Sequence, residues 1–583
     1  MSPRTAKTRA WTFPTSPRVP LGVIDDLKIL KQLEGSIWDK YAQLRFAKKL
    51  AESQSYKGAI SKKETTFAAR DRTRSPKLLG LIKTHLKGRK AEKIIFTEMG
   101  NEFIKDHRSY KKLFERQVLK VQYPNSVNKS GGYENMNIRP ATFLIEMLMT
   151  LEYLTKTEIK TFCITQTRAE DISKIIPRII QYREKLSTLK GKERKDFKHS
   201  TMIEVIKEAY EEDISLGNIS TREGEKNFYR TKINYLNDFG DTCSRMMLAT
   251  GIFVSANGFF CISESRREEA KYYLDTLGTG ISEHDINDHE SFVMNYMGSS
   301  SKPVLVRDDP TLCKNAFNGI YSRLQNKDTM LEERFLNAKN VIDKEKAMDD
   351  LELKIIKQQK EKIEKSLAEN VKSSIQEIDN QFKEIIDRKS EIINAVRPVF
   401  FEWNTWRSFV VKGGYEKIIP NFEMDIDGHP SHTATGNKPD LIIEYKNFWV
   451  IAEVTLMSGH KQFEAEFEPI TRHIGRFQKE IRESGDERPV FGVFISPKIN
   501  ETIYPYLRVY SIVKTKIFGG RVNILPLDLE LFTGLIKSDD TSLNFQEKLK
   551  ILFDETFNLS DLESNNEEYW VKKIKKTVTK LSN

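Results

Sequence analysis

Apolar residues recur three and four positions apart through residues 24–51 and 141–154. That spacing puts them on one face of a helix. Other apolar residues gather in short runs bounded by turn residues, the mark of strands. Leu78-Leu79-Gly80-Leu81-Ile82 and Ile94-Ile95-Phe96 flank Lys87-Gly88-Arg89, which predicts a hairpin, and Thr97 then caps a helix carrying Met99 and Phe103. Thr155-Lys156-Thr157-Glu158 is a capping box. After a helix over Asp241 to Thr250, Gly251-Ile252-Phe253-Val254 and Phe259-Phe260-Cys261-Ile262 flank Asn257-Gly258, a strong hairpin signal. A helix followed by a two-stranded wing occurs twice, so the region up to residue 270 predicts two winged-helix modules that read duplex DNA. Ordinary α+β scaffolding accounts for the same pattern about as well.

From Ile320 to Arg397 there is neither Gly nor Pro. Leu and Ile stand at helix spacing in a dense field of Lys, Glu, Asp and Gln, which predicts a long helix or helical hairpin, polar on most faces. The C-terminal part reads as α/β. A helix covers Val399 to Phe409, strand-like stretches lie around Pro420, a helix runs from about Pro469 to Glu483, and Val490 to Ile495 is a buried strand. The last forty residues read as helical. The fold expected is therefore multidomain α+β with four parts: 1–140 and 141–318 (two winged-helix-like recognition subdomains), 319–397 (a helical linker) and 398–583 (an α/β catalytic domain with a mixed sheet).

Two strand-like runs near the C-terminus carry the clearest chemistry. Leu441 to Tyr445 and Phe448 to Ala452 are joined by Lys446-Asn447, with Asp440 just before the first and Glu453 just after the second. In an antiparallel hairpin these two positions are neighbours. Two carboxylates facing each other in an apolar sheet are costly unless a cation lies between them. Oxygen-only ligands select hard ions; Mg²⁺ is expected, with Mn²⁺ able to substitute, and the Val454 carbonyl can complete the set. Glu402, set among aromatics in Phe400-Phe401-Glu402-Trp403, is a further candidate ligand or a salt-bridged helix acid. Glu466 and His473 are seven apart and share a face if one helix holds both, although Pro469 is expected in the first turn of that helix. His473 could act as general base or orient water, and an equal alternative is a capping or core histidine. Arg472 could clamp a phosphate or pair with Glu468. His429 and His432 form H-x-x-H, better explained as loop than as metal site.

Charge adds the partner. The chain has 94 Lys and Arg against 83 Asp and Glu, a net charge of +11 over 583 residues. That surplus favours a polyanion over a small neutral substrate. It concentrates between Lys57 and Lys93, where twelve basic residues stand against three acids. Candidate phosphate contacts there are Lys62, Lys63, Arg70, Arg72, Arg74 and Lys77. The scattered cysteines (Cys163, Cys243, Cys261, Cys313) suit a reducing cytoplasm and argue against zinc. No apolar run reaches membrane-spanning length, so a soluble, intracellular protein is expected.

Pro439-Asp440…Glu453-Val454-Thr455 resembles the PD-(D/E)xK nuclease signature. With Gly436-Asn437-Lys438, Gln462-Phe463 and Glu468-Pro469-Ile470-Thr471-Arg472-His473, the C-terminal half resembles AlwI-type type IIS restriction endonucleases, close to the nicking large subunits of heterodimeric enzymes. Ser16-Pro17-Arg18, Leu33-Glu34-Gly35-Ser36, Phe67-Ala68-Ala69-Arg70-Asp71-Arg72 and Val121-Gln122-Tyr123-Pro124 extend the resemblance to the N-terminal half. It implies a Mg²⁺-dependent enzyme of the bacterial cytoplasm that cleaves double-stranded DNA at a fixed distance from a short asymmetric site. The family's catalytic set falls on Glu402, Asp440, Glu453, Glu466 and His473. Thr455 stands where a Lys is usual, so that lysine's role passes to His473, to a second metal or to Lys461. One active site cuts one strand; a double-strand break needs a small second subunit or a transient homodimer. The alternatives are a sequence-specific DNA-binding protein with an inactive nuclease core and a structure-specific repair nuclease.

Overall fold

The computed structural model describes the chain except residues 1–5, 54–64, 86–90, 106–109, 126, 129, 222–223, 282–287, 435–437 and 539–541. The chain forms two compact units, Met1–Glu352 with Ile393–Ala395, and Leu353–Ile392 with Val396–Asn583. The expected boundary at residue 140 falls inside the first unit. The segment expected as a linker is shared between both: its helix Val341–Glu369 starts in the first and ends in the second. Among the described residues no helix is long and apolar enough to cross a membrane.

In the first unit, β1 (Ile82–His85) pairs antiparallel with β2 (Ala91–Phe96). The hairpin starts later than expected, because Arg74–Leu78 is a helix. Pro76 sits in its first turn, where a missing N–H costs nothing, and a short apolar run does not distinguish helix from strand. The expected turn at Lys87-Gly88-Arg89 lies outside the described residues. Thr97 caps the helix Glu98–Phe103 by accepting the Gly100 N–H at 3.0 Å.

The helix Pro140–Leu151 ends three residues earlier than expected, and the chain enters β3 (Tyr153–Leu154). Thr155 and Glu158 exchange both bonds of the capping box. The helix Phe228–Leu248 begins well before Asp241 and leads to β4 (Phe253–Ala256) and β5 (Phe259–Ile262). Asn257 and Gly258 take φ of 51° and 84°, the left-handed pair a two-residue hairpin turn needs. The sheet order is β3-β5-β4. Behind it Arg266 is buried between Glu115 and Glu269, at 2.9 and 2.6 Å.

In the second unit, Val371–Ile386 packs on Arg397–Lys412. Ile378, Phe382 and Ile385 are buried, and Phe382 meets Phe401 edge-on at 5.5 Å. This half of the expected spacer is thus core, through an apolar stripe at spacings of four and three that a highly charged composition conceals.

A five-stranded sheet follows: β6 (Lys417–Pro420), β9 (Leu441–Glu444), β10 (Trp449–Val454), β11 (Val490–Ser496) and β12 (Asn523–Asp528), in the order β12-β11-β10-β9-β6. A small separate ladder, β7 (Glu423–Met424) with β8 (Pro430–His432), fills the interval after β6. β9 lies antiparallel to β6 and β10, whereas β11 is parallel to β10 and β12. The sheet is mixed, as expected, and β11 is buried along its whole length, which suits an interior parallel strand.

The helix after β10 runs from His460 to Glu483. It starts nine residues before the expected position, so Pro469 sits inside it rather than in its first turn. It lies close on the sheet: a Cβ at Gly492 of β11 would come within 2.4 Å of Ile474 Cδ1.

Candidate active site

The β9–β10 register decides which side chains meet. Leu441 pairs with Ala452, so the next position outward sets Asp440 against Glu453. The backbone ties them further: the Val454 N–H donates to Asp440 Oδ2 at 2.7 Å. Asn421 fixes the approach to Asp440 by donating its Nδ2 to the Pro439 carbonyl at 2.7 Å and its N–H to the Asp440 carbonyl at 3.0 Å.

Two helices bring further acids and a histidine to this pair. Glu402 is 6 % exposed on the helix Arg397–Lys412 and accepts the Ala434 N–H at 2.9 Å. Thr455, just past β10, donates its hydroxyl to Glu466 Oε1 at 3.0 Å and accepts the Met457 N–H at 3.1 Å. One turn beyond Pro469, His473 places Nδ1 2.8 Å from Glu453 Oε1. Its Nε2 is buried and meets no hydrogen-bond partner among the described residues.

The electrostatics agree with this crowding. Burial, then the charge of Glu453, pushes the Asp440 carboxyl well above the usual carboxylate range. Glu453 is raised by burial, then by Glu466 and Glu402; Glu402 by burial, then by Asp440. Burial, with Arg472 next, holds the His473 imidazole down at about 4, so it is neutral at pH 7.

Mutually repelling, buried oxygen donors are the donor set a hard divalent cation relieves. Among the described residues no three His, Cys, Asp or Glu side chains form a ready-made metal cage. The Asp440–Glu453 pair suits Mg²⁺, which is held by one or two carboxylates together with water and substrate oxygens.

The remaining candidates separate. Lys461 is exposed in the first turn of its helix. Arg472 pairs with Glu468 at 2.9 Å. His429 closes the β7–β8 turn, whereas His432 ends β8, its Nδ1 3.7 Å from Glu423.

In the first unit, Lys62 and Lys63 lie outside the described residues. Arg70 and Arg74 are exposed. Arg72, by contrast, is buried and grips Asp26 through Nε and Nη2 at 2.5–3.0 Å; its charge is spent inside the fold, which corrects its reading as a phosphate contact. Lys77 stands 5.8 Å from the Trp38 ring, and burial lowers its ammonium to about 8.

Gln462 enters the sequence reading only within the resemblance, with no role assigned to it. It is fully buried, donates Nε2 to the Met457 carbonyl at 2.8 Å and Ser496 Oγ at 2.7 Å, and accepts the Asn500 N–H at 2.7 Å. It thereby ties the loops after β10 and β11 to the start of the helix carrying Glu466 and His473. Beside that resemblance, the signal for its role is a polar residue on the buried face of an amphipathic helix.

A family model described as AlwI restriction endonuclease matches residues 77–535. No curated protein matches. Among solved structures, the small subunit of the heterodimeric restriction endonuclease R.BspD6I is 24 % identical, covering 34 % of this chain and 98 % of its own, at a TM-score of 0.29. The BpuJ1 endonuclease binding domain, solved with modified DNA, is 16 % identical over 50 % of this chain and 95 % of its own, at 0.30. The restriction endonuclease FokI is 11 % identical over 94 % and 99 %, at 0.23.

Proposed function

We propose that this chain, which belongs to the AlwI restriction endonuclease family and is a site-specific DNA endonuclease, hydrolyses one phosphodiester per active site with Mg²⁺, at a fixed distance outside a short asymmetric duplex sequence. The observation that carries this reading is the β9–β10 register, which opposes Asp440 to Glu453 amid buried acids that raise one another.

Asp440, Glu453 and the Val454 carbonyl would hold the ion, in a core of the PD-(D/E)xK kind. Held there, Mg²⁺ would supply neutralisation of phosphate charge and a more acidic water. Glu402 hems Asp440 from the helix side. Thr455 occupies the usual lysine position and orients Glu466 by its hydroxyl bond. With Nδ1 held by Glu453, neutral His473 presents Nε2 to accept a proton from the attacking water. In the first unit, the helix-and-hairpin elements would act as winged-helix readers, with exposed Arg70 and Arg74 on phosphates and other side chains on base edges. One acidic site cuts one strand, so the chain alone nicks, and a double-strand break requires a second nuclease subunit or a second copy.

Incubation of the full chain with supercoiled plasmid and Mg²⁺, followed by run-off sequencing of both strands, tests this. Breaks on one strand at one offset from a common short motif are expected. Specific binding without cleavage under any divalent ion would make the protein a sequence-specific binder with an inactive core. Breaks that follow DNA structure would make it a repair nuclease.

A further inference from the structure

At the far end of the same sheet, where β11 and β12 begin, lies a cavity of about 380 Å³. Arg482, Lys514, Arg521, Gln478 and the Gly519-Gly520 turn line it, and none of its nine lining residues is acidic. The arginines are fixed without being neutralised: Arg482 donates Nη1 to the Gly519 carbonyl, and Arg521 donates Nε to the Ile512 carbonyl at 2.8 Å. Among the described residues no carboxylate pairs with Arg482, Lys514 or Arg521.

Their surroundings make this a departure. Arg488, six residues after Arg482, is held by Asp486 and Glu444 at 2.6 and 2.8 Å. Arg472, on the same helix as Arg482, has Glu468 at 2.9 Å. Gly520, at φ +146°, makes the arrangement possible, because a Cβ there would come within 2.7 Å of Arg482 Nη1. The turn thus seats a guanidinium against backbone beside two more cations around a concave space. Two fixed guanidiniums and the exposed Lys514 ammonium around one cavity repel one another until an anion joins them, and arginine forks match phosphate oxygens in geometry.

We propose that this cavity is a phosphate subsite taking a backbone phosphodiester of the DNA duplex on which the acidic site acts. The inference rests on the nuclease reading above. One helix links the two places: His473 and Arg482 are nine residues apart, roughly 13 Å along the axis, the axial length of about four nucleotides of one strand. The contact adds affinity and register without reading sequence.

Binding of full-length protein to a fluorescent duplex, followed by anisotropy in EDTA across about 50 to 200 mM NaCl, reads the subsite without requiring cleavage. Arg482→Ala and Lys514→Ala are each expected to lower the slope of log affinity against log salt by about 0.9, the loss of one phosphate contact. Lys514 is exposed, so Lys514→Ala tests the cavity without disturbing the Arg482–Gly519 seat. Unchanged slopes in both variants, with unaltered melting temperatures, would overturn the proposal. A rise in melting temperature with inorganic phosphate that Arg482→Ala abolishes, beside an unchanged DNA slope, would make this a free-anion site and overturn it too. Plasmid cleavage by the same wild-type sample is scored separately: its absence defeats the nuclease reading and leaves the slope to judge the cavity.

Discussion

His473 Nδ1 and Glu453 Oε1 stand 2.8 Å apart, joining the helix after β10 to the strand that carries the central acid. The bond fixes the ring and leaves Nε2 without a hydrogen-bond partner among the described residues. His473→Ala is expected to slow cleavage by about 10²–10⁴-fold, with little change in the Mg²⁺ concentration giving half-maximal rate. A normal rate would return His473 to a packing role. The unfolded chain takes up this proton near 6.5, the folded one at about 4. Stability is therefore lost as pH falls from 6.5 towards 4, and the Ala variant should lose less over that window in thermal melts.

Asp440→Asn should abolish cleavage while gel-shift binding to the same duplex persists. It should also stabilise the metal-free fold. Asp440, Glu453 and Glu402 have raised carboxyls, so folding opposes their ionisation and stability falls as pH rises out of the ordinary carboxylate range. One unit of displacement corresponds to about 1.4 kcal/mol. In EDTA the variant should melt higher than wild type, with the gap widening as pH rises; a lower melting temperature throughout would contradict the crowding described.

Chelation should stop cleavage, and Mg²⁺ should restore it. Because binding to the folded state alone stabilises by mass action, a hundredfold excess over Kd adds about 2.7 kcal/mol. Calorimetry should show a Mg²⁺-dependent rise in Tm that Asp440→Asn removes. If Asp440→Asn keeps the full rise, the ion binds elsewhere.

Arg72→Ala should act on folding before DNA. It leaves Asp26 buried without its guanidinium, a loss of about 3–5 kcal/mol. Burial pushes the Asp26 carboxyl up to about 7 against the pull of Arg72, so the variant's deficit should be largest above pH 7 and shrink towards pH 4, where a neutral carboxyl is tolerated. Arg74→Ala, at an exposed position, should leave Tm unchanged and lower the salt slope of binding. The reverse pattern in the two variants would exchange their roles.

Gln462→Ala removes an anchor from two loops at once. Leaving the Asn500 N–H without its acceptor costs about 1–3 kcal/mol, and cleavage should fall more than DNA binding, because Glu466 and His473 shift with their helix. Unaltered cleavage at a lowered Tm would confine Gln462 to stability.

The acid pair was legible because strand pairing has a period of two and a short connection leaves little freedom of register. The Asn257-Gly258 turn and the Thr155 box were legible for the same reason: their chemistry is local. What escaped depends on distant partners. Arg72 lies in a basic stretch that looks solvated until Asp26, 46 residues earlier, is seen beneath it. Pro469 suggested a helix start because its ring is easiest to place there, yet burial of Ile470 and Ile474 holds the helix through it. The role of Gln462 escaped because its partners come from two loops. Lys62 and Lys63 fall outside the described residues.

β10 is held antiparallel to β9 on one side and parallel to β11 on the other. A chain so clamped tolerates insertions and deletions unequally. Losing one residue inside the strand would turn Glu453 to the opposite face, away from Asp440 and His473. Losing two would restore the face but move the carboxylate about 6.6 Å along the strand. Length variation compatible with cleavage should therefore accumulate in the surface connections and leave the strand's residue count fixed.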